Sequence, residues 1–302
     1  MHDRLDADRI GWLPFLAVLP PLFWAGNFVL GRALHADIPP LALSFWRWIL
    51  ALAILLPFAW RGLRAQAVIV RRHWAVLSLL ALLGVTGYNT LAYIGLQTAT
   101  ATNGVLLASA TPVLILLLSW LLLGQRAGLW QGLGVLLSLA GVLLVVSGGD
   151  PTRLASIRPN PGDLWILVAG LDWALYSVCL RWRPAGLDPL VFLATTVALG
   201  SIPLAGLYAW DLAQGHGFAP TPVNLAALAY VALFPSVLAY IVWNRAVARL
   251  GANRTGQYIH LMPLFGALLA VVFLGERPGW FHAVGMALIG GGIWLSARPR
   301  RG

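Results

Sequence analysis

Long runs without a single formal charge divide this chain. Ile10 to Gly31, Ala127 to Gly149, Pro189 to Trp210, Thr255 to Gly275 and Pro278 to Ala297 contain no Asp, Glu, Lys or Arg. A helix needs ~20 mostly apolar residues to cross a ~30 Å hydrocarbon core, and each run is long enough. Only 10% of the 302 residues are charged, against about 25% in an ordinary soluble domain. A soluble core of this size could not hide so much apolar surface, whereas a bilayer solvates it directly. The sequence therefore reads as an all-α integral membrane protein. Ten transmembrane helices are expected near 12–31, 41–60, 74–96, 103–123, 128–147, 164–181, 189–210, 223–244, 254–274 and 279–297.

The net charge of +10 comes from arginine, since the chain has no lysine. On the ten-span plan 15 arginines fall on one face and only Arg32, Arg153, Arg158 and Arg277 on the other, with Arg47 inside a span. Basic loops stay in the cytoplasm, so both termini are expected there, and the charge needs no nucleic-acid partner. Asp3, Asp6 and Asp8 precede a full-length first span with no small-residue cleavage site, unlike a cleavable signal. Trp12, Trp60, Trp74, Trp165 and Trp210 stand near span ends, as interfacial belts require. A lone Cys179 excludes an internal disulfide and a cysteine-rich metal site.

Internal repetition is the next constraint. At an offset of 149, Trp24-Ala25 falls on Trp173-Ala174, Arg32 on Arg181 and Pro40-Leu41 on Pro189-Leu190. At 151, Pro112 meets Pro263, Leu123-Gly124-Gln125-Arg126 meets Leu274-Gly275-Glu276-Arg277, and Gly134 and Gly141 meet Gly285 and Gly292. Matched Trp, Pro, Arg and Gly do not align by apolar composition alone. Each half, 1–149 and 150–302, holds five spans, an odd number, so the halves must be inverted repeats. Such halves can exchange inward-open and outward-open shapes around a midplane site.

Phe23-Trp24-Ala25-Gly26-Asn27-Phe28, Phe45-Trp46-Arg47, and Pro followed twelve residues later by Gly-(Gln/Glu)-Arg in both halves carry a resemblance. Over essentially its whole length the chain resembles the EamA-type branch of the drug/metabolite transporter superfamily. Within that branch it is most similar to the aromatic amino-acid exporters of bacterial inner membranes. The resemblance implies a multi-pass carrier with a small-molecule substrate, an aromatic amino acid or similar amphiphile, surrounded by membrane lipid and using no cofactor. The superfamily's small multidrug exporters depend on a glutamate in the first span; the one glutamate here, Glu276, sits in a loop.

Polar and aromatic residues at mid-depth mark the expected substrate pocket. Trp24 and Asn27 in span one match Trp173 and Tyr176 in span six. Tyr88, Asn89 and Tyr93 in span three, Tyr240 and Trp243 in span eight, and Gln257, Tyr258 and His260 in span nine extend it. Buried Asn and Tyr need hydrogen-bond partners that lipid cannot give; each aromatic alone could equally fill a gap between helices. Asp172 in span six and His260 are candidates for proton coupling, since intramembrane ionisable groups face cavities or partners; each could also be a satisfied structural group. Pro112 and Pro263 break helix hydrogen bonds mid-span and serve as hinges or as fixed kinks. Arg47 reads as structural, snorkelling toward the arginine-poor face. Phosphorylated substrates are disfavoured because it is the one basic group within a span. Gly128, Gly132 and Gly134, with Ala283, Ala287 and Gly291, give small-residue spacing for helix packing within the monomer.

Two other classes compete. An embedded enzyme lacks the HExxH, phosphate-loop or acidic-cluster motifs it would use, and no metal set is present. A channel lacks charge rings or a repeated filter. A proton-coupled exporter of drugs or organic cations is the alternative within the same superfamily.

Overall fold

The computed structural model describes residues 13–155, 160–274 and 279–297. Trp12, Glu276, Arg277, Arg158 and the arginines at 4, 9, 298, 300 and 301 lie outside them. Every regular element among the described residues is helical. Eight spans are α1 (Leu13–Ala33), α2 (Pro40–Ala65), α3 (Trp74–Gly95), α4 (Asn103–Leu123), α5 (Leu129–Val146), α6 (Pro161–Trp182), α7 (Pro189–Ala213) and α8 (Pro222–Leu250). The interrupted α9 (252–274) and the shorter α10 (Trp280–Ala297) complete ten.

Local chemistry sets the ends. Asn160, Asp188 and Thr221 accept backbone N–H groups at the starts of α6, α7 and α8, each followed by a proline in the first turn. Gly124 (φ +65) closes α4, and Gly251 (φ +83) separates α8 from α9, in the left-handed region that favours glycine. Trp60, Trp74, Trp165 and Trp210, near span ends, are 43–67% exposed, so their rings face outward from the helix bundle.

The two halves interrupt their helices at matching places. Leu82–Gly87 in α3 and Leu233–Leu238 in α8 are π-helical, 151 residues apart. In α4 the helix stops at Ala108 and restarts at Thr111; in α9 a 3-10 turn over Gln257–Leu261 precedes Met262. Pro112 and Pro263 thus each stand in the first turn of a new segment, where the missing N–H costs little. That placement explains how spans can carry them at mid-depth.

Repeat-equivalent residues touch each other along one line. The rings of Trp24 and Trp173 are 5.0 Å apart. Asn89 Nδ2 donates to Tyr240 Oη (3.3 Å), His260 Nε2 to the Ser109 carbonyl (3.0 Å), and Ser138 Oγ to the Ile289 carbonyl (3.3 Å). A residue can meet its own symmetry mate only beside the symmetry axis, so this line traces the pseudo-two-fold axis of an inverted repeat.

At one end of that line α5 and α10 cross. The backbone approach is made by Gly134 against Gly292 and Gly141 against Gly285, around Ser138 and Ile289. Of the small residues expected to pack within the monomer, Gly134 lies in this seam, whereas Gly132 meets nothing within 4 Å, Ala283 and Ala287 are exposed, and a Cβ at Gly291 would touch only the tip of Leu137. Two residues along a helix turn the face by about 200°, so a spacing alone cannot say which set of small residues is inward.

Candidate functional site

Aromatic rings from α1, α6 and α8 close on each other at the centre. Trp24 packs on Trp173 and, at 5.1 Å, on Trp243. Trp173 also meets Tyr240 (5.3 Å), Tyr88 (4.9 Å) and Tyr176 (5.0 Å). Each of these rings is buried. Offset and edge-to-face aromatic pairs add ~0.5–1.5 kcal/mol each beyond area burial, so the cluster is cohesive without a ligand.

The π-helical turns serve this cluster, because a widened turn leaves carbonyls and N–H groups for other partners. Trp24 Nε1 donates to the Pro235 carbonyl (3.1 Å), and Ser236 Oγ to the Val231 carbonyl (2.6 Å). In the other half the carbonyl equivalent to Pro235, that of Gly84, accepts from the Tyr240 hydroxyl. Trp173 Nε1 is left without a partner.

Two hydrogen bonds flank the rings, related by the repeat but with donor and acceptor types exchanged. On the arginine-poor side Tyr93 Oη donates to Asn27 Oδ1. On the arginine-rich side Tyr176 Oη donates to Asn244 Oδ1 (2.9 Å). Nine expected pocket residues thus share one cluster: Trp24, Asn27, Tyr88, Asn89, Tyr93, Trp173, Tyr176, Tyr240 and Trp243. The span-nine set stands apart. His260 is fully buried on Ser109 of α4, and Gln257 is fully buried with neither end of its amide bonded. Tyr258 is half-buried. Asp172 lies against Gly87 in the α3 π-turn, with Oδ2 buried and unbonded.

Span two supplies what the sequence reading missed. Arg47 does not snorkel: it is 0% exposed. Its Nε donates to Ser236 Oγ (2.9 Å), and its Nη1 reaches Asn89 Oδ1 (2.7 Å), Tyr93 Oη (2.6 Å) and Asn27 Oδ1 (3.3 Å). Depth had been inferred from position along the span, but depth does not give facing. The available signal was the excess of oxygen acceptors at that level in α1 and α3.

The two faces differ. On the arginine-poor face Arg32 Nη1 donates to the first two carbonyls after α3, Leu96 (3.0 Å) and Gln97 (2.9 Å). There the α3 and α6 backbones touch at Gly95 and Gly162, and Thr98 bonds Asn160 (3.2 Å). The repeat equivalents on the arginine-rich face are Arg181, Val247 and Ala248. They are unlatched: Arg181 is exposed, without a hydrogen bond or ion pair among the described residues, and all three line a cavity of about 530 Å³. Ser177 and Asn244 also line it, so the cavity reaches the polar pair beneath the rings. A second cavity of about 280 Å³ opens on the same face, lined by Leu13, Arg183 and Arg245.

The EamA-like transporter family model matches residues 11–147 and again 160–298. The chain belongs to the EamA-like transporter family. As a family member it is a multi-pass membrane transporter and not an enzyme. A protein described as an uncharacterized transporter in Archaeoglobus fulgidus is 33% identical, over 93% of this chain and 96% of its own length. One described as a "Probable terminal-alkyne amino-acid exporter" in Streptantibioticus cattleyicolor is 29% identical over 75% of each chain. A solved crystal structure has the same fold, with a TM-score of 0.71 at 22% identity over 94% of this chain and 96% of that one. For this EamA-like transporter, the twice-matched family model and the axis-straddling contacts describe the same duplication.

Proposed function

We propose that this transporter is a bacterial inner-membrane carrier that exports small amphiphilic metabolites, aromatic amino acids first among them, by alternating access. The observation that carries the reading is the ring cluster of Trp24, Trp173, Tyr240 and Trp243 at the repeat axis, with a cavity on the arginine-rich face that reaches Asn244 beside it. A substrate ring can replace one of these ring–ring contacts, and Asn27, Asn89, Tyr176 and Asn244 offer hydrogen bonds to a polar end. Similarity to an amino-acid exporter supports the substrate class. The arginine-rich face is cytoplasmic, so this conformer faces inward, and Pro112 and Pro263 are the hinges of α4 and α9.

Counterflow in proteoliposomes tests the substrate. Phenylalanine should exchange faster than leucine or an organic cation. Trp24→Ala and Trp173→Ala should each raise its apparent Michaelis constant by about 2–13-fold, the equivalent of one ~0.5–1.5 kcal/mol ring pair. Equal exchange of leucine and phenylalanine would remove the aromatic preference, and unchanged kinetics in both variants would move the pocket elsewhere.

Orientation has its own test. A carboxy-terminal alkaline phosphatase fusion should be inactive and a green fluorescent fusion bright, because both termini are cytoplasmic; the opposite pattern would reject this topology. Proton coupling would run through Asp172 or His260, the ionisable pair at mid-depth. Asp172→Asn and His260→Gln that both kept the wild-type response to a pH gradient would leave facilitated diffusion.

A further inference from the structure

We infer that Arg47 is the substrate's carboxylate anchor: the one buried guanidinium on α2, which binds an anionic group on the arginine-poor side of the ring cluster. The inference rests on reading that cluster as the transport site.

Charge is the first reason. Every hydrogen-bond partner of Arg47 among the described residues is neutral: Ser236, Asn27, Asn89 and Tyr93. Among the described residues no carboxylate comes within ion-pair distance of it. A cation inside a membrane protein is costly unless it is paired or faces a cavity, and neutral oxygens stabilise it without cancelling its charge. Arg47 is therefore short of one anion.

Geometry is the second. Nε and Nη1 are occupied, but Nη2 is buried without a hydrogen-bond partner among the described residues. Leaving a charged donor buried and unmet is among the more expensive omissions in a protein. Nη2 carries two N–H groups from which a carboxylate oxygen can accept a charge-assisted hydrogen bond. The four bonds already formed hold the guanidinium rigid, so little side-chain entropy remains to be lost on binding.

Asymmetry is the third. The repeat equivalent of Arg47 is Thr196, whose hydroxyl bonds back to Phe192 and Leu193 in its own helix. The second half builds the same fold without a cation at this position, so the architecture does not require one. What the cation adds is a direction: one end of the pocket is positive.

Position is the fourth. Asn89 bonds both Arg47 and Tyr240. The guanidinium carbon lies 5.2 Å from the Trp48 ring, which is 5.1 Å from the Tyr240 ring. Anion anchor and aromatic surface are therefore neighbours, within reach of one amino-acid-sized molecule. A substrate entering from the open face meets Asn244 and Tyr176, then the rings, and Arg47 last.

Equilibrium binding to the full-length protein in nanodiscs at pH 7 tests this with a ligand series. L-Phenylalanine and 3-phenylpropionate carry the carboxylate; L-phenylalaninamide keeps ring and amine without it; leucine and 4-methylvalerate replace the ring. Wild type should bind phenylalanine at least about tenfold more tightly than the amide, the scale of one charge-assisted hydrogen bond. Arg47→Gln should lose about tenfold or more for both aromatic carboxylates and leave the amide unchanged. Arg47→Lys, a point charge that cannot hold Ser236, Asn89 and an anion at once in the planar guanidinium's geometry, should fall between. Equal wild-type binding of phenylalanine and its amide, or unchanged discrimination in Arg47→Gln, overturns the anchor and leaves the aromatic reading standing. Arg47-dependent binding of 4-methylvalerate as tight as that of 3-phenylpropionate keeps the anchor and removes the aromatic preference. Binding of none of the carboxylates removes both. Should Arg47→Gln not fold, the wild-type comparison decides by itself.

Discussion

Removing the guanidinium of Arg32 should open the arginine-poor face. Its two bonds to the Leu96 and Gln97 carbonyls close α1 onto the end of α3, where the helix dipole also favours a cation. Hydrogen bonds from a charged donor contribute ~1.5–3 kcal/mol; this donor is partly exposed, which favours the lower end. The ratio of the two access states should then move about tenfold. Arg181→Ala should move it the other way. In this conformer Arg181 bonds nothing among the described residues, so its loss costs only the state in which it would latch Val247 and Ala248. A cysteine at Leu96, fully buried here, in a Cys179→Ser background reports the change by its maleimide labelling rate. Arg32→Ala should raise that rate about tenfold and Arg181→Ala should lower it. Identical rates in the two variants would mean that the latches do not govern access.

Gly141→Val should cost the fold itself. A Cβ at Gly141 would stand 2.8 Å from the Gly285 carbonyl, and one at Gly134 would stand 2.5 Å from that of Gly292. Both obstacles are backbone, which cannot rotate away as a side-chain tip can. Forcing bulk into a packed contact costs ~1–3 kcal/mol and sometimes more, and here the helices would also lose the contacts along their shared seam. Fluorescence-detected size exclusion should show most of the monodisperse peak lost for Gly141→Val. Gly132→Val has open space around it and should retain the peak. A stable, monodisperse Gly141→Val protein would contradict the close crossing of α5 and α10.

Span count, the duplication and most of the ring cluster were legible because they depend on periodic or paired signals. Charge-free runs report length against a bilayer, and matched Trp24/Trp173 and Pro112/Pro263 report symmetry. Arg47 was not legible, because position along a span gives depth and not direction: the same residue could snorkel or turn inward. The α3 and α8 π-turns were likewise hidden, since Gly84, Gly87 and Pro235 permit such a turn without requiring it. Gln257 and His260 shared the depth of the rings but follow α9, whose 3-10 turn directs His260 toward Ser109. At the seam of α5 and α10 the small-residue spacing found Gly134 but mixed in Gly132, which points elsewhere, an ambiguity that only the partner helix resolves.

The contacts on the pseudo-two-fold axis have a kinetic meaning. On the proposed alternating access, exchanging the roles of the two halves converts one access state into the other, and that exchange maps Asn89–Tyr240, Ser109–His260 and Ser138–Ile289 onto the same three places. To the extent that the halves are alike, such a contact has equal energy in both states, so it cannot bias their populations. It can still differ at the crossing point between them. Substitutions on the axis should therefore reset the clock of the carrier, its turnover number, while substitutions off the axis, at Arg32 or Arg181, reset where it waits.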